Sequence, residues 1–484
     1  MYAAQIYRSV LPFVFVPVFL TVLGAETYSV ISFFLTMVAL LGLLDLGFSS
    51  AIIKMFSGSA HSPLKRLEAT FLFAKFLKYT FLIAAAIFVL FTLTKDFLAY
   101  SWLGQSTDKA YVSTAILYLG LTIALTYIKQ FLLCFLTSIE NHVKVALFNI
   151  FGPTLGYGCG YLFLNLPSDL PQYFQILAIV CAAELLVLFF LYLRYHRESY
   201  SYEHSLSEIR TSFRDLLKPT FMLGAISLLW VVVSQSDKFL ASYFMVPADF
   251  TYYQIGSQLS GVVAIMAIPL IQYLMPRLNR LKASGQMEEY SRTFLKPFML
   301  FIFLSWNAVF AIFVNGQFFL SLWLSGDENI LGVAEQSKYL FLAVFFSSVM
   351  QFIFLIIFSF NLLQQHLKVY MAYSLFAVLG CFLIAWSSPD YIGFWCFIHS
   401  FLFFLVWGGW TLSRSFKNPS SLFVVFFVVL PLMLYVSESA IKYFGFADSL
   451  LYYFSVRLAI FMLFGLVFLK FQKIVSSKVV LRWV

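Results

Sequence analysis

Apolar residues run through this chain in uninterrupted blocks of about 20, separated by short polar joints, and that pattern leaves few folds open. A helix of about 20 apolar residues crosses about 30 Å of hydrocarbon. Strands of a membrane barrel would instead alternate in polarity over about 10 residues, and these blocks do not alternate. Composition closes the remaining door. Of 484 residues, 62% are hydrophobic and 11% charged, whereas soluble domains are about half apolar and a quarter charged. The expected fold class is therefore an all-α polytopic membrane protein.

The blocks predict fourteen transmembrane helices, over residues 8–23, 29–53, 69–94, 111–136, 143–164, 172–194, 219–244, 251–276, 294–316, 336–361, 368–387, 391–413, 420–438 and 451–472. The first follows a single basic residue, Arg8, has no small-residue cleavage site, and reads as a retained span. An even number of crossings puts both termini on one side, and the basic residues say which. With a cytoplasmic N-terminus, the inside joints hold Lys65, Arg66, Arg194, Arg197, Arg210, Arg214, Lys218, Arg277, Arg280, Lys282, Arg292, Arg414, Lys417, Lys470, Lys473, Lys478 and Arg482. The outside joints hold Lys95, Lys109, Lys338 and Lys442 beside Glu26, Asp169, Asp249, Asp327 and Asp390. The net charge of +9 is thus a signature of cytoplasmic loops, and no nucleic-acid partner is expected. Five cysteines, Cys134, Cys159, Cys181, Cys381 and Cys396, lie inside apolar blocks without metal-ligand spacing, so neither a metal site nor a disulfide framework is expected.

An internal repeat is visible. Asn141-His142-Val143-Lys144-Val145 before span five matches Gln365-His366-Leu367-Lys368-Val369 before span eleven, an offset of 224 from His142 to His366. Phe97 to Leu103 after span three matches Phe318 to Leu324 after span nine, an offset of 221 from Trp102 to Trp323. Pairing span three with nine and five with eleven makes two six-helix lobes of like orientation, related by a pseudo-twofold axis along the membrane normal. The expected organisation is an N-terminal lobe over 1–195, a cytoplasmic linker over 196–218 forming a solvated helix, a C-terminal lobe over 219–415, and two additional helices with a basic tail over 416–484.

Several segments resemble the Wzx-type polysaccharide flippases. They are Leu23-Gly24-x-Glu26-x-Tyr28, Leu44-Asp45-Leu46-Gly47-Phe48, Gln235-x-Asp237-Lys238-Phe239-Leu240, Tyr253-x-x-Gly256, and Pro269 with Pro276 before a basic loop. That family belongs to the superfamily of multidrug, oligosaccharidyl-lipid and polysaccharide exporters. The resemblance implies two lobes around a central cationic cavity in a bacterial cytoplasmic (inner) membrane. It implies the movement of an undecaprenyl-diphosphate-linked oligosaccharide repeat unit, for O-antigen or capsule-type polymers, from the inner to the outer leaflet. It further implies contact with membrane lipids and with polymerase and chain-length proteins of the same pathway. No cofactor is expected; coupling to a proton or sodium gradient is.

Charge placed at membrane depth costs about 2.5–3.5 kcal/mol and marks pathways. For an anionic sugar-phosphate head the candidates are Lys75 and Lys78 in span three, Lys129 in span four, and Lys238 near the middle of span seven. Lys75 and Lys78 share a helix face and lie close enough to the cytoplasmic end to snorkel. Arg457, near the outer end of span fourteen, reads as an anchor. Asp45, Glu184 and Asp237 are candidates for ion coupling or for pairing with these lysines. Pro12, Pro17 and Pro269 are expected to bend gating helices. Two other readings compete. A small-molecule exporter of the multidrug type would want an acidic site, but the intramembrane candidates are mostly basic. A polymerase or glycosyltransferase would want a large outer loop with acidic or arginine residues, and no catalytic motif occurs.

Overall fold

The structure is a computed structural model, and it describes residues 2–45, 52, 56, 63–102, 109–163, 170–200, 213–324, 330–416, 427–428 and 430–443. The side chain of Asp45, residues 46–48 of its motif, residues 201–212 of the linker, and span fourteen with Arg457 lie outside the described residues. Among those described there is no strand, and ten helical stretches are long and apolar enough to cross a membrane. The protein is an integral membrane protein. We number its helices α1 (Tyr2–Leu40), α2 (Pro63–Phe97), α3 (Lys109–Ser138), α4 (His142–Phe163), α5 (Leu170–Tyr200), α6 (Phe213–Phe244), α7 (Pro247–Ala283), α8 (Met287–Trp323), α9 (Ile330–Ser359), α10 (Leu363–Ser387), α11 (Ile392–Phe403), α12 (Gly409–Ser415) and α13 (Leu430–Tyr443). A π turn, Phe404–Gly408, joins α11 to α12, and another, Leu98–Trp102, closes α2.

The chain forms two compact units, Met1–Thr251 and Tyr252–Val484. In the first, α3 is the central helix. It is buried over 61% of its most apolar stretch, where no other span of that unit exceeds 28%. Lipid tails offer helices no hydrophobic reason to associate, so close packing through small side chains has to do it. Accordingly α3 buries Ala115, Thr122 and Ala124, and its Thr122 hydroxyl donates to the Phe174 carbonyl of α5 at 3.2 Å. In the second unit α9 is the most buried span, at 72%; it packs on α8 and α11, buries Ala334, Ser337, Ala343 and Ser348, and sets Ser337 against Gly256 of α7.

Prolines do not break these helices. Pro12 and Pro17 lie inside α1, and Pro269 and Pro276 inside α7. Helical dihedrals are lost instead at Gly24 (φ 74°, ψ 163°) and at Asn315 (φ −116°, ψ 23°). The Gly24 conformation is one that essentially only glycine adopts, and it falls where the joint between spans one and two was expected.

Three helix-to-helix turns share one construction. Before α4, the Asn141 amide donates to the Leu136 carbonyl at 3.0 Å and the Glu140 amide to Thr137 at 3.1 Å, with Glu140 left-handed at φ 58°. Before α10, Leu362 donates to Ile357 at 2.9 Å and Asn361 to Phe358 at 3.2 Å, with Asn361 at φ 57°. Gly285, between α7 and α8, takes the third at φ 72°. These are Schellman caps, which satisfy carbonyls that have no helical partner. Glu140 and Asn361 stand 221 apart, the Trp102–Trp323 offset, and at that register the partner of His366 is Val145. The expected His142–His366 equivalence is therefore displaced by three residues. His142 is exposed, whereas His366 is buried and accepts a hydrogen bond from the Trp407 indole at 2.9 Å.

Substituting Gly285→Ala should lower stability by about 1 kcal/mol, the cost of a left-handed L-residue. Gly24→Ala should cost more, because its ψ lies outside even the left-handed helical region. Thermal unfolding of the detergent-solubilised protein checks the order of the two.

Candidate functional site

Lys129 and Glu184 reach each other from α3 and α5. Lys129 lies nine residues before the end of α3 at Ser138, about 14 Å along the helix, so its ammonium is held at membrane depth. It donates to Glu184 Oε2 at 2.8 Å, with side-chain exposures of 21% and 10%. Glu184 Oε1 is buried and has no hydrogen-bond partner among the described residues. What faces it is Gly152 of α4, where an added Cβ would come within 2.1 Å of that oxygen. Gly152, Gly156 and Gly160 form a stripe on α4 that meets Glu184, Leu177 and Tyr173 of α5 in turn. This four-residue spacing of small residues is a sequence signal for close helix approach that the reading of charges passed over. The same helix engages α1: Arg8 donates to Asn149 Oδ1 at 3.3 Å, and the Tyr7 and Thr154 hydroxyls share a hydrogen bond of 2.8 Å. Arg8 is thus more than the flank of the first span, and Asn149, polar inside an apolar block, is its partner.

Asp237 and Lys238 lie on α6 and bond to each other, with Lys238 Nζ 3.2 Å from Asp237 Oδ1 and 2.8 Å from the Ser234 carbonyl. Because α6 ends at Phe244, Lys238 sits six residues from that end, about 9 Å, and not near the middle of the span. The end of α6 is clamped by Trp102, whose indole donates to the Ser242 hydroxyl at 3.0 Å and whose ring packs on Phe239 and Tyr243. Lys75 and Lys78 are exposed on α2, the former with its ammonium 4.8 Å from the centre of the Phe71 ring.

The four lysines thus separate into two kinds. Lys129 and Lys238 each hold a carboxylate, so their charges are locally neutralised. Lys75 and Lys78 form no ion pair with a described acid. No described contact joins Lys129 to Lys238, and the side chain of Asp45 cannot be placed with either. Chemically, the Lys129–Glu184 pair is a cation already bound to an anion that an incoming phosphate oxygen could replace, with a second carboxylate oxygen short of a partner.

A buried pair broken on one side leaves an uncompensated charge, at about 3–5 kcal/mol, whereas apolar replacement of both sides is often neutral. Lys129→Met should therefore destabilise the protein by roughly 3 kcal/mol, and Lys129→Met with Glu184→Met should recover most of the loss. Comparison of thermal unfolding of the two variants is the check.

The fold itself has solved counterparts. A structure described as lipid II flippase MurJ in an inward closed conformation aligns at a TM-score of 0.70 and 13% identity, covering 97% of this chain and 98% of that one. An inward-facing multidrug resistance transporter of the MATE family aligns at 0.59 and 13%, covering 85% and 95%. A transporter of the same superfamily from Pyrococcus furiosus, described as having a binding pocket of reversed polarity, aligns at 0.53 and 14%, covering 85% and 96%. At these identities the likeness establishes the fold. No curated protein matches the chain in sequence. A family model does: the one described as polysaccharide biosynthesis protein matches residues 1–282, more than half of the 484 and including Lys75, Lys78, Lys129, Glu184, Asp237 and Lys238. This chain belongs to the polysaccharide biosynthesis protein family.

Proposed function

We propose that the protein is a flippase. It moves an undecaprenyl-diphosphate-linked oligosaccharide repeat unit from the inner to the outer leaflet of a bacterial cytoplasmic membrane, for O-antigen or capsule-type polymers. The observation that carries this reading is the family match over residues 1–282, the part of the chain that supplies the Lys129–Glu184 pair. The physical task agrees with it. Each sugar hydroxyl buried without a partner would cost on the order of 1–3 kcal/mol, and a diphosphate cannot enter hydrocarbon unpaired. The head therefore needs a polar, cationic path while the isoprenoid tail stays in lipid. Fourteen crossings in two like-oriented lobes, with both termini cytoplasmic, would supply that path by alternating access. The Schellman caps at Glu140 and Asn361, and the central helices α3 and α9, support the repeat.

In this reading Glu184 occupies Lys129 when no cargo is bound, and a phosphate displaces it. The freed carboxylate is then the site at which a proton or sodium gradient couples to transport. Asp237 and Lys238 act the same way nearer the end of α6. Glu184 and Asp237 already hold lysines, which favours an anionic cargo over the small organic cations of a multidrug exporter. The protein works without covalent chemistry of its own, and hands its product to polymerase and chain-length proteins.

Deleting the gene should cause complete lipid-linked units to accumulate on the cytoplasmic face. Units delivered outward but left unpolymerised would instead identify an enzyme. The Lys129→Met, Glu184→Met double variant should fold as the parent does and yet export at least tenfold less. Parental export from it, at equal protein level, would make the pair a matter of stability alone.

A further inference from the structure

A groove of about 480 Å³ runs between α2 and α5, lined by Leu77, Lys78, Phe81, Leu82, Phe189 and Tyr192. Its rim is open to the surroundings of the protein. Leu82 is 58% exposed, and the apolar face continues along α2 through Val89 and Leu93, and along α5 through Leu186 and Phe190. Such a face looks onto acyl chains. Lys78 lines it and, one turn earlier on α2, Lys75 is exposed beside it, and no acid lines the groove among the described residues.

The depth of these lysines follows from helix length. The polar residues Lys95 and Asp96 mark one end of the apolar part of α2, and a span of hydrocarbon takes about 20 residues. Counted back from Lys95, the other boundary falls at about Lys75. The same count from Leu170, the first residue of α5, arrives at about Phe190, between the groove residues Phe189 and Tyr192. Two helices thus place the lysine end of the groove at one membrane surface. It is the surface toward which the basic residues Arg194 and Arg197 of α5 and Lys65 and Arg66 of α2 lie. A lysine one turn inside that boundary extends its ammonium to phosphate level.

We infer that this groove binds an anionic phospholipid of the cytoplasmic leaflet. The lipid phosphate sits against the Lys78 and Lys75 ammonium groups, and one acyl chain lies along Leu77, Leu82 and Phe189. Charge decides the headgroup. Two lysines that form no ion pair with a described acid are complementary to a net negative lipid, whereas a zwitterionic headgroup brings its own cation to the same place. This site takes a bilayer lipid and is independent of the cargo proposed above.

Native mass spectrometry of the full-length protein in detergent, titrated with phosphatidylglycerol or phosphatidylcholine, tests it. The parent should bind phosphatidylglycerol more tightly than phosphatidylcholine. Lys75→Gln with Lys78→Gln should weaken phosphatidylglycerol binding roughly thirtyfold and leave phosphatidylcholine unchanged. Leu82→Trp, which fills the groove without altering charge, should weaken both, and Lys296→Gln on the exposed face of α8 should change neither. Three results would overturn the inference: equal binding of the two lipids by the parent, undiminished phosphatidylglycerol binding by the lysine double variant, or binding confined to undecaprenyl phosphate. The last would give the groove to the cargo and leave the flippase reading standing.

Discussion

Hydrocarbon cannot hydrogen-bond, and every feature described above answers to that. Backbone groups must find partners within their own helix, and the described spans are accordingly helical. Where a helix ends, the Schellman turns at Glu140, Gly285 and Asn361 recover carbonyls that would otherwise go unmet. Serine and threonine hydroxyls fold back on the preceding turn, as Thr36 does on Ser32 and Thr80 on Phe76. Charges obey the same rule more strictly. Lys129 and Lys238 are each held beside a carboxylate, and Lys75 and Lys78 keep to the level where a phosphate can meet them.

Much of this was legible in the residues. Apolar blocks of spanning length dictate helices, and described helices lie where most of the blocks were read. Trp102 and Trp323 stand 221 apart, as do the left-handed caps at Glu140 and Asn361, and each tryptophan closes a long helix. The histidine match misled by three residues, since short apolar strings resemble one another at several registers while a left-handed cap fixes only one. Pro12, Pro17 and Pro269 stand inside helices that continue through them. A proline removes a single hydrogen bond, and these helices carry it, whereas the dihedrals of Gly24 and Asn315 interrupt theirs.

At the site, residue type revealed which charges matter but not what they touch. Lys129 and Glu184 are 55 positions apart on different helices, and nothing in their local sequence joins them. Lys238 is not central even in the expected span 219–244, whose end agrees with the Phe244 end of α6 six residues on. Gly152 was invisible to a search for charge, although its spacing from Gly156 and Gly160 announces a flat helix face. A flat face permits the close approach at which a carboxylate can be lodged against backbone.

That stripe of glycines also makes the seat of Glu184 depend on the axial register of α4. One turn along α4 from Gly152 in one sense stands Gly156, which would present the same bare surface to Glu184; in the other sense stands Phe148, whose ring could not occupy that space. The groove in α4 is smooth on one side of its resting place and blocked on the other. A helix that brought Phe148 opposite Glu184 would have to turn the carboxylate out of its seat, and with it the partner of Lys129.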